Sequence, residues 1–409
     1  RLPKKLGMNE EKNINDQLLE NYYEVMVPNY APANFVVKKA IGSSVWDVND
    51  KKYIDFGGGI AVNSLGHSHP ELLNALEEQA KKIWHHSNYL ASEPSINLAK
   101  ALVDLTFAEK VFFSNSGSEA NETAIKIARK YHHSKGNAKV EIIAFKNAFH
   151  GRSLLNISLG GSKLHKEGFG PLDQSILRAE FNDLDSVKKC ISDKTAAIII
   201  EPIQGEAGVH AADQEFLIRL REVCDQQEIL LIFDEVQSGI GRTGKLFSYI
   251  KYEVIPDILT SAKGLGGGMP IGATLTKNKF AEALTVGSHG STFGGNPLAC
   301  AVAIRVLDLV KQDSFLDAVK AKEELLKQGL EEISNKHQAF SQIRSNGLWF
   351  GCDLNQKDKV NALLDLCYEE GLIGISAGTS TLRFAPALNI PDSDIQEGLF
   401  RLDKALKRF

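Results

Sequence analysis

Short apolar runs alternate with longer stretches of helical period between about Gly66 and Pro297. Several of these runs are continuously apolar and rich in β-branched residues, as strands covered on both faces of a sheet should be. The alternation predicts an α/β domain with a largely parallel sheet. The predicted strands are Lys110–Ser114, Glu141–Phe145, Ala196–Glu201, Ile229–Asp234, Asp257–Ser261 and Gly272–Thr276. The predicted helices between them include Ser118–His133 and Gln214–Gln227.

The two ends of the chain carry a different pattern. Residues Ser44–Phe56 predict a hairpin whose turn is Asn49–Lys51, and a long helix begins at about Leu298. Two more strands are predicted beyond it, at Gly347–Leu354 and Thr381–Ala385, each after a helix. We therefore expect a small α+β domain built from both termini, although the pattern alone does not show that the two ends pack together. The expected division is residues 1–65 and 298–409 for the small domain and residues 66–297 for the large domain.

Composition and charge exclude several classes of function. Apolar residues make up 43% and charged residues 24% of the 409 positions, which is ordinary for a globular protein. The net charge of −4 gives no basic surplus for nucleic-acid binding. No stretch approaches the roughly 18 apolar residues of a membrane span, and the N-terminus lacks a signal-peptide core. Five scattered cysteines without a C-x-x-C pair predict a reduced, intracellular protein. We expect a cytoplasmic enzyme, and the sequence leaves open whether the residues before Met8 are native.

A first candidate site is the segment Ser116–Glu119, which follows a predicted strand and precedes a predicted helix. Ser116 and Glu119 have the spacing of a capping box. Unpaired N–H groups at the start of a helix bind anions, and Gly117 allows close approach of a ligand. An ordinary capped helix without a ligand explains the same pattern.

A second candidate is Asp234–Gln237, at the end of the strand Ile229–Asp234. Ligands of parallel sheets bind beyond the carboxyl ends of the strands. An ionised aspartate there is costly unless it meets a cation, and a protonated pyridine nitrogen would be one. The alternative is a strand-end carboxylate that caps the next loop.

The third candidate is Ser261–Gly268, in which Lys263 ends another strand and enters a glycine-rich loop. A lysine that loses solvent there has a lowered pKa and can attack an aldehyde. The glycines let the backbone pass close to a bound group. A solvated lysine beside a flexible turn is the alternative.

Two further patterns point to other chemistry and are rejected. Gly239–Lys245 matches G-x-x-x-x-G-K, but the next residue is Leu246, where a P-loop needs Ser or Thr to hold magnesium. The histidines between positions 67 and 86 show no metal-binding pattern and no cysteine partner, so we expect structural or surface roles for them. These histidines are His67, His69, His85 and His86.

The three candidates and their order resemble the class III, fold-type-I aminotransferases, and within them the acetylornithine and succinylornithine aminotransferases. The similarity runs from about Val25 to the C-terminus. The stretches that carry it are Tyr53–Val62, Asn115–Glu122, Asn147–Ser153, Glu201–Gly205, Phe233–Gly244, Pro256–Gly268, Gly287–Ala299 and Arg383–Pro386.

The resemblance implies pyridoxal 5'-phosphate as the cofactor. It implies that Lys263 holds the cofactor as a Schiff base and that Asp234 pairs with its pyridinium nitrogen, which keeps the ring an electron sink. Gly117 and Ser118 would hold the phosphate at the helix start. The family often has Gly-Thr or Gly-Ala at these two positions, which is a mild departure because the backbone N–H does much of the binding.

The remaining cofactor contacts implied by the resemblance lie around the ring. Phe149 would stack on one face and Val236 would pack on the other, while Gln237 would bond the ring hydroxyl oxygen. Glu235, in the same segment, counts among the cofactor-binding residues. Thr292 would reach the phosphate of the partner subunit, which implies a homodimer.

Substrate contacts are implied for four residues. Ser291 and Arg152 would contact the substrate, with Arg152 on its α-carboxylate, and Arg383 would grip a carboxylate of 2-oxoglutarate as a bidentate fork. Glu206 would pair with Arg383 when the long amino donor is bound. The family usually has Gly-Glu-Gly-Gly here, and Ala207 at a positive φ would be strained by about 1 kcal/mol.

The activity implied is transfer of a terminal amino group from N-acetylornithine or N-succinylornithine to 2-oxoglutarate, in arginine metabolism. Ornithine and 4-aminobutyrate are alternative donors. A cofactor-binding protein without catalysis is a different interpretation, but a mere binder needs neither Arg152 nor Arg383. A nucleotide-binding enzyme that uses Gly239–Lys245 is disfavoured by Leu246.

Overall fold

A computed structural model describes residues 13–409, so the question about the residues before Met8 lies outside the described residues. The helices are α1 (Ile14–Val25), α2 (Gly58–Ala61), α3 (Pro70–Ala80), α4 (Glu93–Leu105), α5 (Gly117–Ser134), α6 (Leu154–Leu159), α7 (Leu184–Cys190), α8 (Gln214–Gln227), α9 (Ser248–Tyr252), α10 (Asn278–Ala281), α11 (Pro297–Val310), α12 (Asp313–His337), α13 (Val360–Glu369) and α14 (Asp392–Arg408). The strands are β1 (Val37–Ile41), β2 (Ser44–Asp47), β3 (Lys52–Asp55), β4 (Lys110–Ser114), β5 (Glu141–Phe145), β6 (Ile176–Ala179), β7 (Thr195–Ile200), β8 (Ile203–Gln204), β9 (His210–Ala211), β10 (Leu230–Asp234), β11 (Ile258–Ser261), β12 (Gly272–Thr276), β13 (Phe340–Ser345), β14 (Phe350–Leu354), β15 (Leu372–Ile373), β16 (Ile375–Ala377) and β17 (Thr381–Phe384). None of the helices within residues 13–409 is long and apolar enough to span a bilayer.

The central sheet has seven strands in the order β4-β12-β11-β10-β7-β5-β6. All neighbours pair in parallel except β12, which runs antiparallel to both β11 and β4. Every residue of β7 and β10 is buried, as the continuous apolar runs predict. The expected mainly parallel sheet is therefore confirmed, and the carboxyl ends of β10 and β11 meet where Asp234 lies opposite Thr260.

The small domain contains residues from both ends of the chain. The hairpin β2–β3 forms as predicted, and β3 pairs in parallel with β15, so N-terminal and C-terminal segments share one sheet. Ile54 and Phe56 pack in one apolar cluster with residues of β14, β17 and α14. The expected small α+β domain from both termini is confirmed, while the division at residues 65 and 297 stays a prediction.

A left-handed turn joins the hairpin to the large domain. All four residues of α2 have a positive φ, and two of them, Ile60 and Ala61, are not glycine. A Cβ at Gly58 would lie 2.3 Å from the carbonyl oxygen of Ala385, so a side chain there would clash with backbone. A hydrogen bond also holds the backbone at Ala385, because the Ala385 N–H donates to the Phe56 carbonyl at 2.7 Å.

Candidate active site

A cavity of about 420 Å³ opens at the carboxyl ends of the parallel strands. It brings together residues that follow β4, β5, β7, β10 and β11, which are far apart in the sequence. Eight of the predicted site residues line it, namely Gly117, Ser118, Phe149, Arg152, Asp234, Val236, Gln237 and Lys263. The three sequence motifs therefore form one site.

Lys263 follows β11 and begins a short 3-10 turn with a φ of 43°. Burial lowers the pKa of Lys263 from 10.5 to about 8, Glu206 opposes this change, and Arg383 adds to it. A lysine with this pKa is unprotonated in roughly a tenth of molecules at pH 7, far more often than an ordinary lysine, so its Nζ is available as a nucleophile.

Asp234 lies at the end of β10, where its carboxylate has three donors. Oδ2 accepts from Asn121 Nδ2 at 2.8 Å and from His150 Nδ1 at 2.7 Å, and Oδ1 accepts from the Val236 N–H at 3.0 Å. The Asn121 side chain is fixed in turn by Thr260, whose hydroxyl donates to Oδ1 of Asn121 at 2.7 Å. These donors hold the carboxylate oriented in the floor of the cavity.

The helix start at Gly117 is shaped for close approach of a ligand. The first N–H groups of a helix, here those of Gly117 and Ser118, have no acceptor within the helix. A Cβ at Gly117 would lie 2.6 Å from Cγ1 of Val236, so only glycine leaves this space open. The predicted capping is confirmed, because Ser116 Oγ accepts from the Glu119 N–H at 3.2 Å and donates to the Glu119 carboxylate at 3.0 Å.

Arg383 and Glu206 form a bidentate ion pair beside the cavity. Nη1 and Nη2 of Arg383 donate to Oε1 and Oε2 of Glu206 at 3.0 and 3.2 Å. Gln237 contacts both partners at 3.4 Å. Burial alone would raise the pKa of Glu206, but the charges of Arg383 and Lys263 outweigh it and lower that pKa.

The backbone beside this ion pair corrects one expectation. Ala207 does not have a positive φ, so the strain predicted there is wrong. The left-handed residues are instead Gly208, with a φ of 120°, and Val209, with a φ of 62°. A glycine accepts the first conformation without cost. Alanine at position 207 is therefore compatible with the backbone that carries Glu206.

Phe149 and Arg152 lie together in the lining of the cavity. The Arg152 guanidinium is 5.6 Å from the centre of the Phe149 ring, and the Phe149 N–H donates to Glu201 Oε1 at 2.8 Å. Burial raises the pKa of Glu201 well above its usual range, and the Asp234 charge raises it further. His165 lies near the same ring, and burial and the Arg152 charge lower its pKa.

Besides Arg383 and Glu206, which lie beside the cavity, three further predicted residues do not line it. The buried Glu235 carboxylate points into the following loop, where it accepts from the Tyr249 N–H at 3.1 Å and the Ser238 hydroxyl at 2.9 Å. Ser291 Oγ accepts from the side chain of Asn115, a lining residue, at 3.1 Å. Thr292 is exposed.

The rejected patterns have local roles. Gly239–Lys245 forms an irregular loop in which Ile240, Gly241 and Gly244 have positive φ values. His67 contacts Asp55 Oδ2 at 2.7 Å, and His69 caps α3 by accepting from the Glu71 N–H. Within residues 13–409, no group of three or more His, Cys, Asp or Glu side chains is arranged to hold a metal ion.

Sequence reasoning missed four side chains of the site, and two of them had a signal. His150 directly follows Phe149 in a stretch that carries the family resemblance, and Glu201 ends a predicted strand at the same edge as Asp234. Asn121 and Thr260 also fall in stretches that carry the resemblance, but neither had a positional signal, because each lies inside a regular element. They act on the site through hydrogen bonds, from Asn121 to Asp234 and from Thr260 to Asn121.

Comparison with known proteins assigns the chain to a family. The model of the class-III aminotransferases matches residues 25–406. The chain belongs to the class-III aminotransferases. As a member of this class it is a pyridoxal-phosphate-dependent enzyme, and a solved relative, the ornithine aminotransferase of Toxoplasma gondii, is described with pyridoxal phosphate at its active site.

Relatives of this aminotransferase cover almost its whole length. The succinylornithine transaminase of Yersinia pseudotuberculosis is 51% identical over 95% of this chain and 96% of its own. The acetylornithine aminotransferase of Pseudomonas putida is 51% identical over 94% of this chain and 96% of its own. Among solved structures, the N-acetylornithine aminotransferase of Stenotrophomonas maltophilia superposes with a TM-score of 0.84, at 38% identity over 96% of this chain and 99% of that one.

The cavity of this aminotransferase fits pyridoxal phosphate by its own chemistry. It offers an amine with a lowered pKa at Lys263, an oriented carboxylate at Asp234, and free N–H groups at Gly117 and Ser118. Nε2 of the buried His150 has no hydrogen-bond partner among the described residues, so its hydrogen-bonding capacity is left unfilled beside Asp234.

Proposed function

We propose that this aminotransferase moves the terminal amino group of N-acetylornithine or N-succinylornithine to 2-oxoglutarate, with Lys263 as the residue that carries the cofactor. The ion pair between Arg383 and Glu206 is the observation that carries the proposal. While Glu206 neutralises the guanidinium fork of Arg383, the site accepts a long donor that places no second carboxylate near Arg383. The same fork binds 2-oxoglutarate once Glu206 turns away.

The roles of the chain's own groups follow from their positions. When bound, pyridoxal phosphate supplies an aldehyde that receives the amino group and a ring that takes up electrons. Nζ of Lys263 would take a proton as general base from the donor carbon that bears the amino group and deliver it as general acid to the cofactor carbon that was the aldehyde. Asp234 holds a positive charge at the ring nitrogen, and Arg152 binds the α-carboxylate at the other end of the donor.

Changes at Arg383 and Glu206 should affect the two substrates differently. Arg383→Lys loses the planar fork and should raise the KM for 2-oxoglutarate by about a hundredfold. Glu206→Gln leaves the charge of Arg383 without a neutralising carboxylate. It should raise the KM for the acylated donor, while the KM for 2-oxoglutarate should stay level or fall. Steady-state kinetics with N-acetylornithine, N-succinylornithine, ornithine and 4-aminobutyrate measure both effects. A higher kcat/KM for ornithine or 4-aminobutyrate than for the acylated donors would overturn the substrate assignment.

We propose further that the enzyme is a homodimer, acting in the cytoplasm. Exposed aromatic side chains cluster around Thr292, with Trp84 68%, Tyr89 99% and Phe293 59% exposed. Asn88 joins the two loops concerned, since its side chain donates to the carbonyl groups of Ser291 and Gly294. A contiguous aromatic surface of this kind is typical of an interface, and a second copy would place Thr292 at its partner's site.

Mixing two defective variants tests whether Thr292 acts in the partner's site. Thr292→Ala alone should weaken cofactor binding, and Lys263→Ala alone should be inactive. In a mixed dimer, one site then combines an intact Lys263 with an intact Thr292 from the other subunit. Mixing the two variants after their subunits have been dissociated should therefore restore activity at about half of the sites in mixed dimers, with wild-type cofactor affinity at those sites. Activity that does not rise above that of Thr292→Ala would contradict the shared site.

A further inference from the structure

Arg242 is a buried arginine outside the cavity that the mechanism leaves unused. It is 2% exposed and lies in the loop between β10 and α9. Its Nη1 donates to the carbonyl groups of Leu348 at 2.8 Å and Pro386 at 2.6 Å. Its Nη2 has no partner, and no ion pair includes Arg242 within residues 13–409.

A buried guanidinium without a counter-charge is costly to fold. Burial lowers the pKa of Arg242 to about 9, which reflects the same cost. An apolar residue of similar size would fill the space without this desolvation cost. An arginine at this position therefore indicates a role for its hydrogen-bond donors. Both carbonyl oxygens accept from Nη1, and the planar guanidinium fixes the directions of its two N–H bonds and with them the spacing of the two oxygens.

The loop that carries Arg242 is fixed to the cofactor-binding end of β10. Glu235, next to Asp234, anchors its far end by accepting from the Tyr249 N–H. A Cβ at Gly347 would lie 2.1 Å from the Arg242 carbonyl oxygen, so the loop also contacts the small-domain backbone directly. The backbone at Arg242 is therefore tied both to the strand end that carries Asp234 and to the small domain.

The two carbonyl groups that Arg242 holds belong to the segments around the ion pair. Pro386 follows the end of β17, the strand that carries Arg383. Leu348 precedes Trp349, whose ring lies against Gly205, the neighbour of Glu206. The guanidinium thus connects the cofactor-binding strand end to both members of the ion pair.

We propose that Arg242 is a positioning residue for 2-oxoglutarate: it fixes the distance between Arg383 and the cofactor-binding end of β10. The inference rests on the proposed role of Arg383 as the carboxylate grip. A misplacement of about 1 Å at a binding group can lower reaction efficiency about a hundredfold. The acylated donor does not use Arg383 as its grip, so the effect should fall on one substrate.

The test compares Arg242→Gln and Arg242→Lys with a matched control at Arg178. Arg178 also donates only to backbone carbonyl groups, those of Leu159 at 2.8 Å, Ser158 at 2.6 Å and Phe145 at 3.4 Å, but all three lie in the large domain. Each holoenzyme is checked for bound cofactor by its visible absorbance, and KM is measured for 2-oxoglutarate and for N-acetylornithine. Arg242→Gln should raise the KM for 2-oxoglutarate by about tenfold or more with little change for the donor. Arg242→Lys should lie in between, and Arg178→Gln should leave the ratio of the two KM values unchanged.

Equal changes in both KM values, or an unchanged KM for 2-oxoglutarate in a folded Arg242→Gln holoenzyme, would overturn the inference. If Arg242→Gln does not fold, the milder Arg242→Lys decides in the same way. Arg383→Lys is measured in parallel to separate the two claims. No effect of Arg383→Lys on the KM for 2-oxoglutarate defeats the proposed function, whereas an effect there without one at Arg242 defeats only this inference.

Discussion

Replacing Lys263 by alanine should leave a folded protein without turnover. The change removes the only lysine amine that lines the cavity, within the described residues, and with it the group proposed to move the proton. Loss of a covalent catalyst and its proton transfer together should lower kcat by at least about 10⁴-fold. The measurement is steady-state turnover with saturating pyridoxal phosphate, beside a circular-dichroism spectrum that reports the fold.

Lys245→Ala is the matched control for this change. Lys245 is exposed and ends the rejected G-x-x-x-x-G-K pattern, so its loss should leave turnover unchanged. Borohydride reduction of the wild-type holoenzyme should fix the cofactor to the peptide that contains Lys263. Wild-type-like turnover of Lys263→Ala, or a label on another peptide, would refute the assignment of Lys263.

Replacing Asp234 by asparagine should have the second largest effect. Asparagine keeps the shape of the side chain but loses the charge proposed to stabilise a positive ring nitrogen. It also places an amide where Oδ2 now accepts from both Asn121 and His150. Removing one preorganised electrostatic partner lowers kcat by about 10²–10³-fold in other enzymes, and we expect at least that here. Single-turnover rates with N-acetylornithine measure the loss directly.

Asp257→Asn separates this effect from a general loss of stability. Asp257 precedes β11 in the same sheet, at the amino end of the strand and thus away from Asp234. There it accepts from the Leu231 N–H at 2.8 Å and pairs with Arg221 at 2.9 Å. Its replacement should lower the melting temperature while turnover per folded molecule stays near wild type. If Asp234→Asn turns over as fast as Asp257→Asn, Asp234 has no part in the chemistry.

The sequence predicted the central sheet well because burial on both faces leaves a strong signal. Strands such as β7 and β10 are apolar at nearly every position, so their limits were found to within a residue or two. The edge strand β6 was missed, since three of its four residues are only half-buried and one of these is Arg178. Helix α5 was found because its small apolar residues repeat on one face and its first turn carries a capping pair.

The candidate site was predicted only as far as strand ends and glycine turns mark it. Lys263, Asp234 and Gly117 each stand at such a position, and they line one cavity. The contacts that orient them are set by packing between distant segments, as in the hydrogen bond from His150 to Asp234. Local sequence also gave the wrong conformation for Ala207, because the left-handed residues fall one position later.

The pairing of β3 with β15 has a consequence for synthesis of the protein. Lys51 and Tyr368, which meet beside this pair, are 317 positions apart, so the first hairpin leaves the ribosome long before its partner strand exists. The large domain, whose strands lie between these two segments, can fold while the hairpin still waits with Ile54 and Phe56 uncovered. The nascent chain thus exposes the aggregation-prone apolar surface of this hairpin through most of translation. That surface is buried only after the C-terminal segments have been released.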